Sequence, residues 1–420
     1  MKNIVFISNY PPRGSVHGSH FGGVASYTKN TIKSITKAFN QDNKEVNFIV
    51  LADRFNGYKN YKEANVEVNR CWSRNDWFLL DKLLLQVLKI RNSKDVFIAF
   101  EFSIFGLNKF VTFSIPFFIL FLRLFGKRVF LVSHHVLTDI NKVDGQLGIK
   151  ENSVSSNLYS LILRLFYKLI VAFSNKVVVF EEYLSQELIE LGVNKNNLIT
   201  INHGVEQVKS KLSKAKARKK LGISEKDFIV LNFGFIAWYK GSDWVVETFK
   251  SLIDKKMVKN NVRLIMAGGF SRNHKDNPVY NKMYEKIEDT ADSYYDRIEL
   301  TGFVPEDKIN LYFEACDVVV LPYRVMLSAS GPLSLALSYK KPFVLSDNLS
   351  GYIKNKDFKK SLKDSNLTKS DLFFALNEKS FLKKIDLRKE TLLKLTNFST
   401  NLANVRSWDS IGRQYGKLIA

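Results

Sequence analysis

The chain holds only two cysteines, Cys71 and Cys316, far apart in sequence, so a disulfide framework is not expected and a reducing compartment is. It has no GxGxxG and no Walker pattern, so neither a dinucleotide nor an ATP signature is met. No RNP, zinc-finger or helix-turn-helix pattern accompanies its basic charge, and nucleic acid is not an expected partner. The opening MKNIVFISNYPP carries an apolar run too short for the core of a signal peptide and reads as a first buried strand. No internal sequence repeat is present.

A membrane-spanning helix is not the expectation for its greasiest stretch either. The greasiest stretch, FVTFSIPFFILFLRLF (Phe110–Phe125), is bracketed by Lys109 and Lys127 and contains Arg123 and Pro116. A membrane span needs about 20 predominantly apolar residues. A buried helix or an interfacial one is expected instead. A second segment, Leu158–Phe173, mixes Arg164 and Lys168 with aromatics and leucines and favours the interfacial reading. Such helices lie in the headgroup layer, each Lys or Arg adding about 1 kcal/mol near anionic lipid. Peripheral association with an anionic membrane surface, on its cytoplasmic inner face, is the expectation.

What the chain does have is a normal globular mixture, 45% hydrophobic and 25% charged, with 63 Lys+Arg against 41 Asp+Glu and a net charge of +22. That field favours anionic partners without choosing among them. Short apolar runs recur at Lys2–Ser8, Val46–Ala52, Asp95–Phe100, Arg128–Ser133 and Lys176–Phe180, and again at Asp227–Phe233, Val262–Ala267, Ile298–Thr301, Val318–Leu321 and Pro342–Leu345. Helix-length segments separate most of them. The rhythm predicts βαβ units and a parallel sheet, twice over. The basic stretch Val208–Ile223 reads as the linker and the entry to the second domain. A terminal helix over Ser407–Tyr415, with Trp408 and Tyr415 near one face, needs a surface to pack on.

Candidate site residues follow the strands. After the first, Gly22-Gly23 open a helix, where the backbone can approach a phosphate and free N–H groups face it; a plain tight turn has the same sequence. His17 and His20 share that loop, without a Cys or carboxylate neighbour for a metal. His134 and His135 follow VFLVS, at the strand end where open α/β sheets place ligands; capping of the next turn is the bland alternative. In the second half, Lys240 precedes Gly241 at the start of a helix, where its cation would meet an anion bound there. Ser330-Gly331-Pro332 likewise precede an apolar helix and form either an anion cradle or an N-cap. Their agreement in position on two successive sheets counts for more than any one of them.

The runs LNFGFIAWYKGSD, LIMAGG, IELTGFVPEDKINLYFEACDVVVLPYR and SASGPLSLALSYKKPFVLSD resemble the C-terminal domain of family 4 retaining glycosyltransferases across nearly the whole second half. FGGVASYTKN, VSHHVL, INHGVE and SWDSIGRQY resemble that family's glycine-rich loop, histidine motif, first-domain closing phrase and terminal helix. The resemblance implies an α/β GT-B fold: two Rossmann-like domains facing a cleft. Residues 1–206 would form the acceptor-side domain, 207–400 the nucleotide-sugar domain, and 401–420 a helix crossing back to the first.

By position, the resemblance implies that Lys240 holds the donor diphosphate. Gly302, Phe303 and Val304 would line the base, and Ser330 and Gly331 would offer N–H groups to phosphate or sugar. Gly23 would face the diphosphate from the first domain. His134 would contact the transferred sugar, with His135, His17, His20 and Gly22 on the acceptor side. No cofactor or metal is implied, and the chain contains no DxD. The implied activity is transfer of a hexose from a nucleotide sugar to a surface-glycan or lipid-linked saccharide acceptor. Two departures stand out. Leu327 and Leu335 occupy the positions where the family often carries two glutamates, and Phe235 that of an arginine. Arg324 and Arg272 are the candidates to replace that cation. The missing carboxylates also motivate an alternative, a non-catalytic subunit of the same fold that binds a partner transferase or glycan.

Overall fold

The computed structural model describes residues 2–15, 22–55, 57–106, 108–147, 153–270 and 276–419. His17, His20 and Arg272 lie outside the described residues. The first sheet is built from β1 (Lys2–Ile7), β2 (Val46–Asp53), β3 (Tyr61–Glu63), β4 (Val66–Trp72), β5 (Ser93–Phe100), β6 (Arg128–Ser133), β7 (Lys176–Val179) and β8 (Leu198–Thr200). Their order is β3-β4-β2-β1-β5-β6-β7-β8, parallel except for the β3–β4 pair. The second sheet runs β11-β10-β9-β12-β13-β14 and is parallel throughout. Its strands are β9 (Phe228–Phe233), β10 (Val262–Ala267), β11 (Ile298–Leu300), β12 (Val318–Leu321), β13 (Phe343–Ser346) and β14 (Phe373–Phe374).

Both sheets are doubly wound, so strand order reverses at β1–β5 in one and β9–β12 in the other. Ligands of such sheets bind outside the C-terminal strand ends at these reversals. The ten apolar runs of the sequence are strands within one or two residues at each end; β3, β4, β8 and β14 are additional. β3 and β4 alternate and lie at an edge; β14 has two residues. The stretch read as a linker contains a helix, Lys214–Leu221, capped by Ser213 and ended by Gly222 in the left-handed region (φ 67°). Ala217 of that helix is fully buried in the second-domain core.

The terminal helix Trp408–Ile419 crosses back and lies along helix Gly22–Gln41. Ile411, Tyr415 and Ile419 join the first-domain core, where Tyr415 sits over Phe97 of a stacked row, Phe6–Phe97–Phe130 (centroids 4.7 Å apart in both pairs). Close approach is possible because Gly412 lacks a side chain: a Cβ there would stand 2.3 Å from the Ser34 carbonyl oxygen. Tyr415 and Tyr27 share a hydroxyl–hydroxyl hydrogen bond of 2.8 Å. The preceding helix, Lys389–Val405, stays with the second domain through Leu395, Phe398 and Leu402.

The greasy segments are helices Lys109–Leu124, started by the Asn108 cap, and Val154–Phe173, started by the Ser153 cap. Each buries one face on the first sheet and leaves the other bare. Phe110 is 72% exposed and Leu161 62%, and Phe117, Phe121, Leu124 and Leu165 are exposed with them. Lys109 lies over the Tyr159 ring (5.4 Å) and joins the two helices; Arg123, Arg164 and Lys168 stand exposed around the apolar surface. Among the described residues, Val154–Phe173 is the one helix long and apolar enough to cross a membrane. Its inner face, with Leu163, Phe166, Tyr167 and Ile170, is buried in the domain.

Candidate functional site

In the second domain the site grows from the loop after β9. Gly234 (φ 108°) turns the chain away from the strand, and a short 3-10 turn, Trp238–Lys240, leads to Gly241 and helix Ser242–Asp254. Gly241 is required twice over: its φ is 70°, and a Cβ would lie 2.0 Å from the Pro322 carbonyl oxygen. This turn aims Lys240 back over Gly234. A Cβ on Gly234 would meet Lys240 Nζ at 3.3 Å and Pro332 Cγ at 3.1 Å, so the ammonium and the start of helix Gly331–Ser338 converge on one point. No carboxylate is within ion-pair distance of Lys240 among the described residues, and burial holds its pKa down at about 8.

Ser330 caps the helix, its Oγ accepting from Leu333 N (3.2 Å) and sharing a hydrogen bond with the Tyr323 hydroxyl (2.9 Å). Gly331 is exposed at the first helical position with open space around it. Near the Gly234 turn, Gly302 turns the chain at φ 68°, Phe303 is exposed, and Val304 is buried in the core, which leaves its backbone for any contact. Phe303 and Phe235 lie 6.3 Å apart, so an apolar wall stands at the position where the resemblance implies an arginine. Arg324 does not fill that role. Its guanidinium is clamped on Asp243 by two hydrogen bonds (2.6 and 3.0 Å), donates to the Trp238 carbonyl, and stacks on the Trp238 ring (4.8 Å). It fixes the Lys240 turn from behind.

In the first domain, Gly22 and Gly23 open helix Gly22–Gln41, with Gly23 exposed. The His134 amide donates to the Phe100 carbonyl (2.8 Å) and pins the loop after β6 to the end of β5. The imidazole is buried edge-on to Tyr27 (5.0 Å) and Phe180 (5.1 Å). Burial first, then neighbouring His135 and His203, holds its pKa well below the ordinary histidine range. The neutral ring's Nε2 has no hydrogen-bond partner among the described residues. His135 is part-exposed, and its carbonyl accepts from Ser133 Oγ (2.7 Å) and the Tyr167 hydroxyl (3.0 Å).

The two halves of the site meet. Val136 N donates to the Leu327 carbonyl across the cleft (2.9 Å). Gly145 of the first domain lies so close to Trp238 that a Cβ would be 2.1 Å from its ring. His203, unremarked in the sequence beyond the closing phrase, lies 3.3 Å from Ser334 Oγ, and burial holds its pKa at about 4. Behind them is a buried hinge. Arg406 donates to Glu181 (3.0 and 3.3 Å) on one domain and to Asp357 (2.6 and 3.2 Å) on the other. Burial pushes the Glu181 carboxyl up to about 7 even so. Sequence reasoning missed this cluster, because three charges at 181, 357 and 406 share no local pattern. Among the described residues no three His, Cys, Asp or Glu gather as a metal site.

With this geometry in hand, comparison places the chain. Residues 227–362 match the model of the family described as glycosyl transferases group 1. No curated protein matches the chain. Among solved structures, sucrose-phosphate synthase from Thermosynechococcus elongatus superposes with a TM-score of 0.71 at 14% identity, covering 100% of this chain and 98% of that one. Trehalose-6-phosphate synthase OtsA gives 0.70 at 11% identity, covering 99% and 98%. Anabaena HepE, solved with UDP-glucose, gives 0.66 at 13% identity, covering 100% and 99%. The fold is GT-B. The chain is a glycosyltransferase, with its group 1 domain spanning most of the second sheet.

Proposed function

We propose that the chain transfers a hexose from a nucleotide sugar, with retention in the manner of family 4, to a surface-glycan or lipid-linked saccharide acceptor. One observation carries the reading: an ammonium without a counter-charge and a helix N-terminus converge on the Gly234 turn, where the second sheet reverses its order. A diphosphate there gains a charge-assisted contact from Lys240 and the partial positive charge of the helix end. When the bond from the anomeric carbon to the phosphate oxygen breaks, the same groups neutralise the leaving diphosphate, without a metal. Gly302, Phe303 and Val304 border the base. His134, neutral and with a buried Nε2 that has no partner among the described residues, would offer a hydrogen bond to a sugar hydroxyl from the first domain, and Gly23 would lie on the diphosphate's opposite side. HepE, of the same fold, was solved with UDP and with UDP-glucose, which supports a nucleotide-sugar donor.

We further propose that the bare face of helices Lys109–Leu124 and Val154–Phe173 rests on the cytoplasmic surface of an anionic membrane. Aromatic and leucine side chains ringed by Lys109, Arg123, Arg164 and Lys168 match such a surface in both polarity and charge. Since the inner faces of both helices are packed on the sheet, the protein lies on the bilayer rather than across it.

The test of the donor site is ligand-detected NMR against UDP-, GDP- and dTDP-sugars, repeated with Lys240→Ala. Binding of one of them, lost in the variant, is expected. No binding to any by the folded protein would favour the alternative that Leu327 and Leu335 motivate, a non-catalytic subunit. For the membrane face, co-sedimentation with phosphatidylglycerol vesicles is expected for the wild type and not for Phe117→Glu/Leu161→Glu. Equal sedimentation of both would remove that reading.

A further inference from the structure

The second domain has leucines where carboxylates would face the transferred sugar, and both are accounted for. Leu327 is docked through its carbonyl to Val136 of the first domain, and Leu335 lies on helix Gly331–Ser338. Across the cleft, one carboxylate stands at the equivalent sheet reversal of the first domain. Glu101 follows β5 directly, beside β1, at the ligand end of the strand. Phe100 pairs with Ser133 in the β5–β6 register and accepts from the His134 amide (2.8 Å), which places Glu101 and His134 side by side on the cleft edge.

Glu101 is unusual in this chain. The net charge is +22, yet no Lys, Arg or His is within ion-pair distance of it among the described residues. Among the described residues the hydrogen-bond partner of its side chain is its own loop: Ser103 Oγ donates to Oε1 at 2.8 Å. It is part-exposed, so water and ligand reach it. Its charge is felt on the far side of the cleft by Tyr239, the residue before Lys240, whose hydroxyl is pushed up to about 12 by burial first and by Glu101 second. By backbone register Glu101 stands beside His134 at the ligand end of β5, where the first sheet reverses its order.

We propose that Glu101 is the carboxylate that grips the hydroxyls of the transferred hexose, supplied by the first domain in place of the pair missing from the second. In this role it accepts hydrogen bonds, forms no covalent bond and exchanges no proton with the substrate. A carboxylate suits the task because two oxygens accept from two adjacent sugar hydroxyls at once, and such charge-assisted contacts are stronger than neutral ones. Supply from the first domain also makes sugar recognition conditional on cleft closure, since Lys240 holds the diphosphate from the other side. The inference rests on the glycosyl-transfer reading above.

The experiment compares wild type, Glu101→Gln and Glu101→Ala for affinity to UDP, GDP and dTDP, for affinity to their glucose conjugates, and for turnover of whichever conjugate the wild type consumes. Affinity for the nucleoside diphosphate should stay within about twofold, while kcat/KM for the sugar nucleotide should fall about 10- to 100-fold in Glu101→Ala and by less in the isosteric Gln. Thermal melting shows whether each variant is folded; should the alanine fail to fold, the Gln variant carries the test. Unchanged kcat/KM in a folded variant overturns the proposal, as does an equal loss of affinity for the bare diphosphate. A wild type that neither binds nor turns over any sugar nucleotide overturns the transfer reading itself, and this inference with it.

Discussion

Replacing Lys240 with methionine should make the ligand-free protein more stable while crippling its donor site. The ammonium is partly buried with no counter-charge, and burial brings its pKa from 10.5 to about 8. That fall corresponds to a penalty of roughly 3 kcal/mol at most, and partial exposure to water reduces it to about 1–2 kcal/mol. The sign follows from proton counts. Between about pH 8 and 10.5 the unfolded chain holds this proton and the folded one releases it, so folding is penalised in full below pH 8 and less as pH rises. Methionine keeps the stem and removes the charge. At pH 7 the melting midpoint of Lys240→Met should therefore rise by about 2–4 °C, and the advantage should fade towards pH 10. Nucleoside diphosphate affinity should drop about 10- to 100-fold, the loss of one charge-assisted contact of about 1.5–3 kcal/mol. Differential scanning fluorimetry at pH 7 and pH 9.5, with and without UDP or GDP, reads all of these. A lower midpoint at pH 7, or a ligand-induced shift as large as the wild type's, would refute the reasoning.

Arg406→Met should cost about 3–5 kcal/mol at pH 8, because Glu181 is left buried, with part-buried Asp357 beside it, and neither keeps its cation. At pH 5.5 the cost should shrink, since Glu181, raised by burial to about 7, then takes a proton; urea midpoints at the two pH values check it. Gly412→Leu should cost about 1–3 kcal/mol by forcing the terminal helix away from Ser34, with faster amide exchange confined to residues 408–419 and their partners on helix Gly22–Gln41. Transfer activity should persist within about twofold in excess EDTA. Loss of activity in the chelator, restored by Mg²⁺ or Mn²⁺, would overturn the metal-independent reading.

Much of this was legible in the chain, for physical reasons. A strand buried on both faces must be apolar along its length, so β1, β6, β10 and β12 announce themselves as short runs, and two series of them imply two sheets. Backbone sites are legible as well: Gly241 must be glycine, and Lys240 precedes it in the sequence as it does in space. The three-residue edge strand β3 and its neighbour β4, which alternates buried and part-exposed residues, pass for loop. Glu101, Gly145, Trp238 and His203 were invisible as site residues because their meaning lies in contacts between chain segments remote from one another. Arg324 shows the reverse error. Its position fitted a phosphate cation, and only the structure reveals Asp243 holding it.

The contacts across the cleft and those at the hinge differ in strength. Among the contacts that join the two domains at the cleft are the Val136–Leu327 hydrogen bond, Gly145 against Trp238, and His203 beside Ser334. Hydrogen bonds of this kind contribute about 0.5–1.5 kcal/mol each, and water takes their place when they break. At the hinge, Val205 N donates to the Arg406 carbonyl (2.8 Å), Trp408 N donates back to Val205 (3.3 Å), and the Arg406 side chain ties both domains. Separating Arg406 from its carboxylates while they stay buried leaves an uncompensated charge, at about 3–5 kcal/mol. The hinge is therefore the more strongly held of the two junctions. Each cleft contact adjoins a site residue: Val136 follows His134 and His135, Trp238 precedes Lys240, and Ser334 lies one turn from Gly331. In the arrangement the structure shows, these contacts hold the first-domain groups beside the lysine turn.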